Sequence, residues 1–338
     1  MDKDDVVKNA LVWSKKMNAY EERERLSNIA NAEKLDELVD LVNHILEDHK
    51  IIERINHNHI KFHSDYIGNI SKVSDKKLSH IILNHYFPKP NKTSYYHYTS
   101  YKNAINIIET NKIHLYNLNK RFADGEFITF YDEHGMDGYK NGGMVFGIDC
   151  SNQAIMSEIY YISLTGAGTG TLYNSLWKDF GKDGDGVRLE FKISPKTEDF
   201  REAFYSKGPT TSYKPLLHDL FSKIQSKYNL PFNFTYSSKI GAYYIKGKFL
   251  NENEYRLIIK RTSDDYNAYG LIPVVTDPVN KIGYVEVPFI NPFVEFKLIS
   301  VQPGFNCDDH DIKVLQNLAV EKENSFNVLN KAVDYDSL

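Results

Sequence analysis

The stretch "YYHYTS" at 95–100 sets a histidine and two hydroxyls immediately ahead of an amphipathic run. Imidazole can donate, accept or take up a proton near neutral pH. On a strand, His97 and Thr99 point to one side with Tyr95, while Tyr96 and Tyr98 point to the other. A buried, satisfied histidine is the ordinary outcome at such a place. A strand end that faces a helix start is also where chains commonly present ligand-binding groups. A second candidate is "FLNENEYRLIIK" at 249–260. Read as a strand, it places Glu252, Glu254 and Arg256 on one face and Asn253, Tyr255, Leu257 and Ile259 on the other. Charges that compensate each other on a solvated face are the plain reading. A carboxylate oriented by Arg256 for electrostatic or base work in a cleft is the sharper one.

Other motifs point less clearly to chemistry. "HNHIKFH" puts His59 and His63 one helical turn apart, a metal-ligand spacing, but no HExxH pattern or nearby cysteine completes a site. "TGAGTGT" at 165–171 resembles a phosphate loop yet lacks the Lys-Ser/Thr ending. "DFGKDGDGVRLE" places Asp179, Asp183, Gly184 and Glu190 near calcium-loop positions. Gly181 stands where an acid is needed, and "VRLEF" alternates like a strand rather than a helix. Asp-Gly repeats suit a hairpin turn better. No metal is expected.

These residues must be positioned by the elements around them. Up to about residue 88 the pattern is helical, with Leu35, Leu38, Val39, Val42, Ile45 and Leu46 on one face behind Asn31 as a cap. A second helix follows Ser74, and "FPKPNK" breaks the pattern. The division is therefore a helical region over 1–90 and an α+β domain over 91–338. In the latter, short β-prone runs are interrupted by helices at about 101–110, 171–180, 213–227 and 309–333. Strands and helices do not alternate regularly, which favours a mixed or antiparallel sheet. The apolar stripe near residue 40 predicts packing on the rest of the chain, on a partner or on a second copy.

The 338 residues are 41% hydrophobic and 25% charged, with a net charge of −4, so wholesale disorder and an overall basic field for nucleic acid are excluded. Cys150 and Cys307 have no metal-ligand spacing, the first residues carry no signal peptide, and no run is long enough to span a bilayer. A cytoplasmic protein is expected.

Several motifs in order resemble the bacterial domain-of-unknown-function family 2971. They are "YYHYTS", "YKNAINIIETNKIHLYN", "YISLT", "LWKDFGKDGDGVRLEF", "ENEYRLI" and "FKLISVQPG". Phe180 stands where that family has Tyr, and "RFADGEF" departs from its turn, leaving Asp124 and Glu126 out of register. The order of polar strand positions is similar to that of ADP-ribosyltransferases: His97 on the first strand, Ser163 and Thr165 on a middle one, Glu252 and Glu254 on a late one. The resemblance implies that fold and NAD as substrate. It assigns His97, Tyr98, Thr99, Ser163, Thr165 and Arg256 to NAD binding. Glu254, with Glu252, becomes the catalytic carboxylate, because the last Glu of Glu-x-Glu faces the ribose in the resembled enzymes. It implies an ADP-ribosyltransferase or NAD glycohydrolase acting as a bacterial toxin or anti-phage effector on an unknown protein or nucleic-acid acceptor. The alternative is a non-catalytic sensor or binding module on the same fold.

Overall fold

The alternating apolar runs after residue 94 pair into one ten-stranded sheet. The computed structural model describes residues 31–63, 65–69, 76–119, 127–134, 144, 145, 148, 149, 156–166, 171–206, 215–234, 237–261, 273–276 and 282–334, and residues 15, 18, 19, 22, 23 and 26 before them. Ser74, the turn holding Asp124 and Glu126, Cys150 and most of the "TGAGTGT" loop lie outside the described residues. Among the described residues the helices are α1 (Ala32–Asp48), α2 (Lys77–Tyr86), α3 (Tyr101–Thr110), α4 (Ile128–Glu133), α5 (Thr171–Asp179), α6 (Leu216–Tyr228), α7 (Ser237–Tyr243) and α8 (Asp309–Glu321). The strands of the large sheet are β1 (Tyr95–Thr99), β2 (Lys112–Asn117), β3 (Ile159–Thr165), β4 (Val187–Pro195) and β5 (Phe200–Glu202). They continue with β6 (Glu254–Lys260), β7 (Val274–Thr276), β8 (Gly283–Pro288), β9 (Val294–Pro303) and β10 (Asn327–Val328). The class is α+β with mixed sheets, and no described helix is long and apolar enough to cross a membrane.

The chain divides into two units: residues 1–86 with 209–237, and residues 87–208 with 238–338. The helical unit is thus discontinuous, where the sequence predicts one contiguous region ending at residue 90. The reason lies in α6. Its buried Leu216, Leu217, Leu220 and Ile224 form a stripe that needs an apolar partner. α1 supplies one with Leu38, Val42, Ile45 and Leu46, all fully buried. Lys227–Glu37 at 3.1 Å and His49–Asp219 at 3.1 Å flank that contact. Pro215 cannot cap α6 with a side chain, and the Leu217 N–H instead donates to the Tyr86 hydroxyl at 3.0 Å. This unit is not wholly helical, because Lys61–Phe62, Ile67–Gly68 and Phe232–Asn233 form a small sheet. Asn31 precedes α1 without a side-chain cap bond.

In the sheet unit the strand order is β7-β8-β2-β3-β1-β4-β9-β10, and β6 lies on the far side of β3 with β5 beyond it. All pairs are antiparallel except β9–β10. One face is apolar: Leu115, Ile162, Leu164, Leu189, Phe191, Leu257 and Val285 pack with Ala104, Ile107 and Ile108 of α3 and Leu315 and Leu318 of α8. By register, the other face carries Tyr96, Tyr98, Arg188, Ser163, Thr165, Tyr161, Glu254 and Arg256. α5 covers part of it, setting Trp177 edge-on to Tyr98 with ring centroids 5.0 Å apart.

One predicted helix is shorter than its sequence pattern suggests. α8 stops at Glu321, since Glu323 and Asn324 turn left-handed at φ 55° and 53°. The calcium-like segment forms a single 3-10 turn at Lys182–Gly184 and then the strand β4, with no helix after it. Gly186 ends that turn against β1. A Cβ there would lie 2.3 Å from the Thr99 carbonyl oxygen. Gly186→Ala is therefore expected to destabilise the protein by roughly 1–3 kcal/mol through overpacking. The midpoint of denaturant unfolding measures it, and an unchanged midpoint would contradict the close approach.

Candidate functional site

β3 is fully paired on one side only. β6 runs along its whole length, from Glu254 opposite Thr165 to Lys260 opposite Ile159. On the other side β2 meets it at Tyr160 and Tyr161, and β1 meets it at Thr165. Between those points β1 and β2 splay, and Ile162, Ser163 and Leu164 face no strand there. A cleft of about 390 Å³ opens at this split. It is lined by His97, Tyr98, Thr99, Ser163, Thr165 and Glu252 among others. A volume of this order suits a small-molecule site.

His97 occupies the split. Its Nδ1 lies 3.2 Å from the Ser163 carbonyl oxygen. A carbonyl only accepts, so Nδ1 carries the proton and Nε2 keeps its lone pair. Burial holds the His97 pKa below its ordinary value, outweighing the Ser163 hydrogen bond that raises it. The ring is therefore a neutral acceptor with its tautomer set by the backbone. By strand alternation His97 and Thr99 belong to the apolar side of the sheet. They reach the cleft because the strands part there.

The cleft's aromatic walls are held from behind. Arg188 places its guanidinium carbon 4.5 Å from the centroid of the Tyr96 ring. Arg256 does the same under Tyr161 at 4.7 Å. Such cation–π contacts in buried surroundings hold both partners firmly. Tyr98 lies beside them with its hydroxyl pKa pushed up to about 12, by burial first and against the charge of Arg188, so it stays a protonated donor.

The two carboxylates of the Glu-x-Glu part company, which corrects the strand reading of 249–260. β6 begins only at Glu254, and Glu252 ends a 3-10 helix, Gly247–Glu252. Asn253 between them has φ 44°, in the left-handed region, so alternation does not carry across it. Glu252 lines the cleft. Glu254 and Arg256 do not. Glu254 is only 2% exposed, and Arg256 binds it through Nε at 2.7 Å and Nη2 at 3.2 Å. The remaining guanidinium nitrogen, Nη1, donates to the Ala242 carbonyl at 2.7 Å. Glu254 and Arg256, which the resemblance assigns to catalysis and ligand binding, lie outside the cleft lining and form a buried, bidentate pair beneath Tyr161. Other groups at the cleft were not singled out from the sequence: Ser100 and Asn103 at the start of α3, His114 and Tyr116 on β2, and Tyr161. The alternation of "KIHLYN" does place His114 and Tyr116 together, and β2 sets them beside β3 by pairing Tyr116 with Tyr161.

The histidine pair at 59 and 63 has local uses. His59 Nδ1 accepts from the Asn56 N–H at 2.8 Å, and His63 stacks on Tyr66 with centroids 4.1 Å apart. Among the described residues no group of three or more His, Cys, Asp or Glu is placed to hold a metal ion. No protein-family model, curated protein or solved structure matches the chain.

Two outcomes follow from this geometry. Arg256→Met leaves a buried carboxylate unpaired and should cost about 3–5 kcal/mol, whereas Glu254→Leu with Arg256→Met together should cost much less; urea unfolding of both variants checks the difference. His97 binds its proton more readily in the unfolded chain, so acid favours unfolding. Its contribution to stability is full above pH 6.5, the ordinary histidine value, and is lost as pH falls through the lower native value. Stability of the parent should then fall more steeply below that pH than stability of His97→Gln.

Proposed function

We propose that the cleft binds NAD and cleaves its nicotinamide–ribose bond, transferring ADP-ribose to an acceptor or to water. The observation that supports this most is the convergence of His97, Ser163, Thr165 and Glu252 on one opening, although 155 residues separate the first from the last. The same residue types in the same chain order carry the resemblance to ADP-ribosyltransferases and to family 2971.

The chemistry needs few groups. As the N-glycosidic bond breaks, its electron pair goes to the pyridinium nitrogen, which becomes neutral nicotinamide. Positive charge develops on the ribose as an oxocarbenium ion. Glu252 supplies negative charge at the cleft, where a preorganised electrostatic contact stabilises that cation. The Nε2 of His97 accepts from a ribose hydroxyl or the carboxamide, and the Ser163 and Thr165 hydroxyls offer further partners. Tyr96, stiffened by Arg188, presents a ring surface for a base. The acceptor nucleophile, or water, attacks the anomeric carbon and gives up its proton to solvent water.

A binding module without catalysis is the second reading. Its support is the burial of Glu254, which leaves one carboxylate of the Glu-x-Glu in the cleft. Nicotinamide release separates the two. On the enzymatic reading the parent releases nicotinamide from NAD, and Glu252→Gln lowers turnover on the order of 10²-fold or more with little change in melting temperature. Binding of NAD with no turnover, in the presence of protein, DNA or RNA as acceptor, would establish the module instead.

A further inference from the structure

We propose that the N-terminus of α3 is a phosphoryl-binding subsite at one end of the cleft. This rests on the reading above only in naming the pyrophosphate of NAD as the natural occupant. The cleft reaches Thr99, Ser100 and Asn103, which are the residue before the helix cap, the cap itself and the third helical residue. Ser100 satisfies one orphan donor, accepting from the Asn103 N–H at 3.3 Å. The Ala104 N–H donates to the Ser100 carbonyl at 3.0 Å and opens the helical ladder. The N–H groups of Tyr101 and Lys102 precede that ladder and have no acceptor within the helix. Aligned peptide dipoles put partial positive charge at the same end. No acidic residue in the first turn neutralises it.

Thr99 is the independent pointer. It is 7% exposed and lines the cleft. Its hydroxyl makes no hydrogen bond with any described residue. Its oxygen is not among the sealed-off unpartnered atoms of the described residues, so it opens on the cleft, where a ligand can reach it. Thr99 stands on the strand side of His97, one residue ahead of the helix cap, where a phosphoryl oxygen on the helix terminus would take its proton in a hydrogen bond. Helix N-termini hold phosphates in this way through backbone N–H groups.

The test titrates the full chain with adenosine, AMP, ADP and inorganic pyrophosphate, by calorimetry and by displacement. The proposal expects ADP to bind at least tenfold more tightly than adenosine, and pyrophosphate to displace ADP. Thr99→Val keeps the branched shape and removes the hydroxyl. It should erase most of the ADP advantage while leaving adenosine affinity unchanged, and Thr99→Ser should restore it. Asn103 is exposed, and a carboxylate in a first helical turn is favourable to folding. Asn103→Asp should therefore fold and weaken ADP about tenfold by repulsion. Equal affinity for adenosine and ADP in the parent, no displacement by pyrophosphate, or unchanged ADP binding in both Thr99→Val and Asn103→Asp would overturn the subsite. A parent that shows the ADP advantage and its loss in these variants, but never releases nicotinamide from NAD, would keep the subsite and remove the proposed reaction.

Discussion

The sheet unit depends on an edge that cannot close. β3 is held along its full length by β6, so its other side must find partners for every inward-facing backbone group. β1 and β2 supply them only at the two ends. The gap leaves the Ser163 carbonyl without a strand, and His97 donates to it. That single hydrogen bond satisfies the backbone, fixes the imidazole tautomer and leaves the other nitrogen with its lone pair. A continuous sheet would have removed both the opening and the reason for a histidine.

Around this split, charge is arranged in two ways. Glu254 and Arg256 neutralise each other out of solvent and support Tyr161 from beneath. Such a pair gains little net stability against an apolar core, but it is costly to break on one side. Arg188 backs Tyr96 with its guanidinium. Both arrangements make rigid walls from flexible side chains, so a ligand meets a surface already ordered. Glu252 differs because it ends a short 3-10 helix and lines the cleft. The left-handed Asn253 separates a structural acid from a functional candidate two residues away.

Local pattern was enough to locate most of the elements. The period-two runs at 95–99, 112–117, 159–165 and 283–288 are strands, and the helical stripes near residues 40, 105 and 220 are helices, because hydrophobic periodicity is read directly from residue types. His97 and Glu252 were legible as candidates from residue pattern, whereas Ser163 and Thr165 were singled out only through the resemblance in motif order. The discontinuity of the helical unit was not legible. The stripe of α6 shows that the helix needs an apolar partner, and not which one.

The sequence by itself determined the α+β class, the strand and helix identities and the polar residues available to a site. Only tertiary structure decided which of those residues share the cleft. Alternation assigns His97 to the apolar side of its strand, and the parting of β1 from β2 exposes it nonetheless. Alternation also joins Glu252 to Glu254, and one positive φ at Asn253 parts them. The first decision concerns backbone path over long sequence separations, the second a single backbone angle that residue types leave open. Side-chain chemistry constrains that path only after the strands have paired.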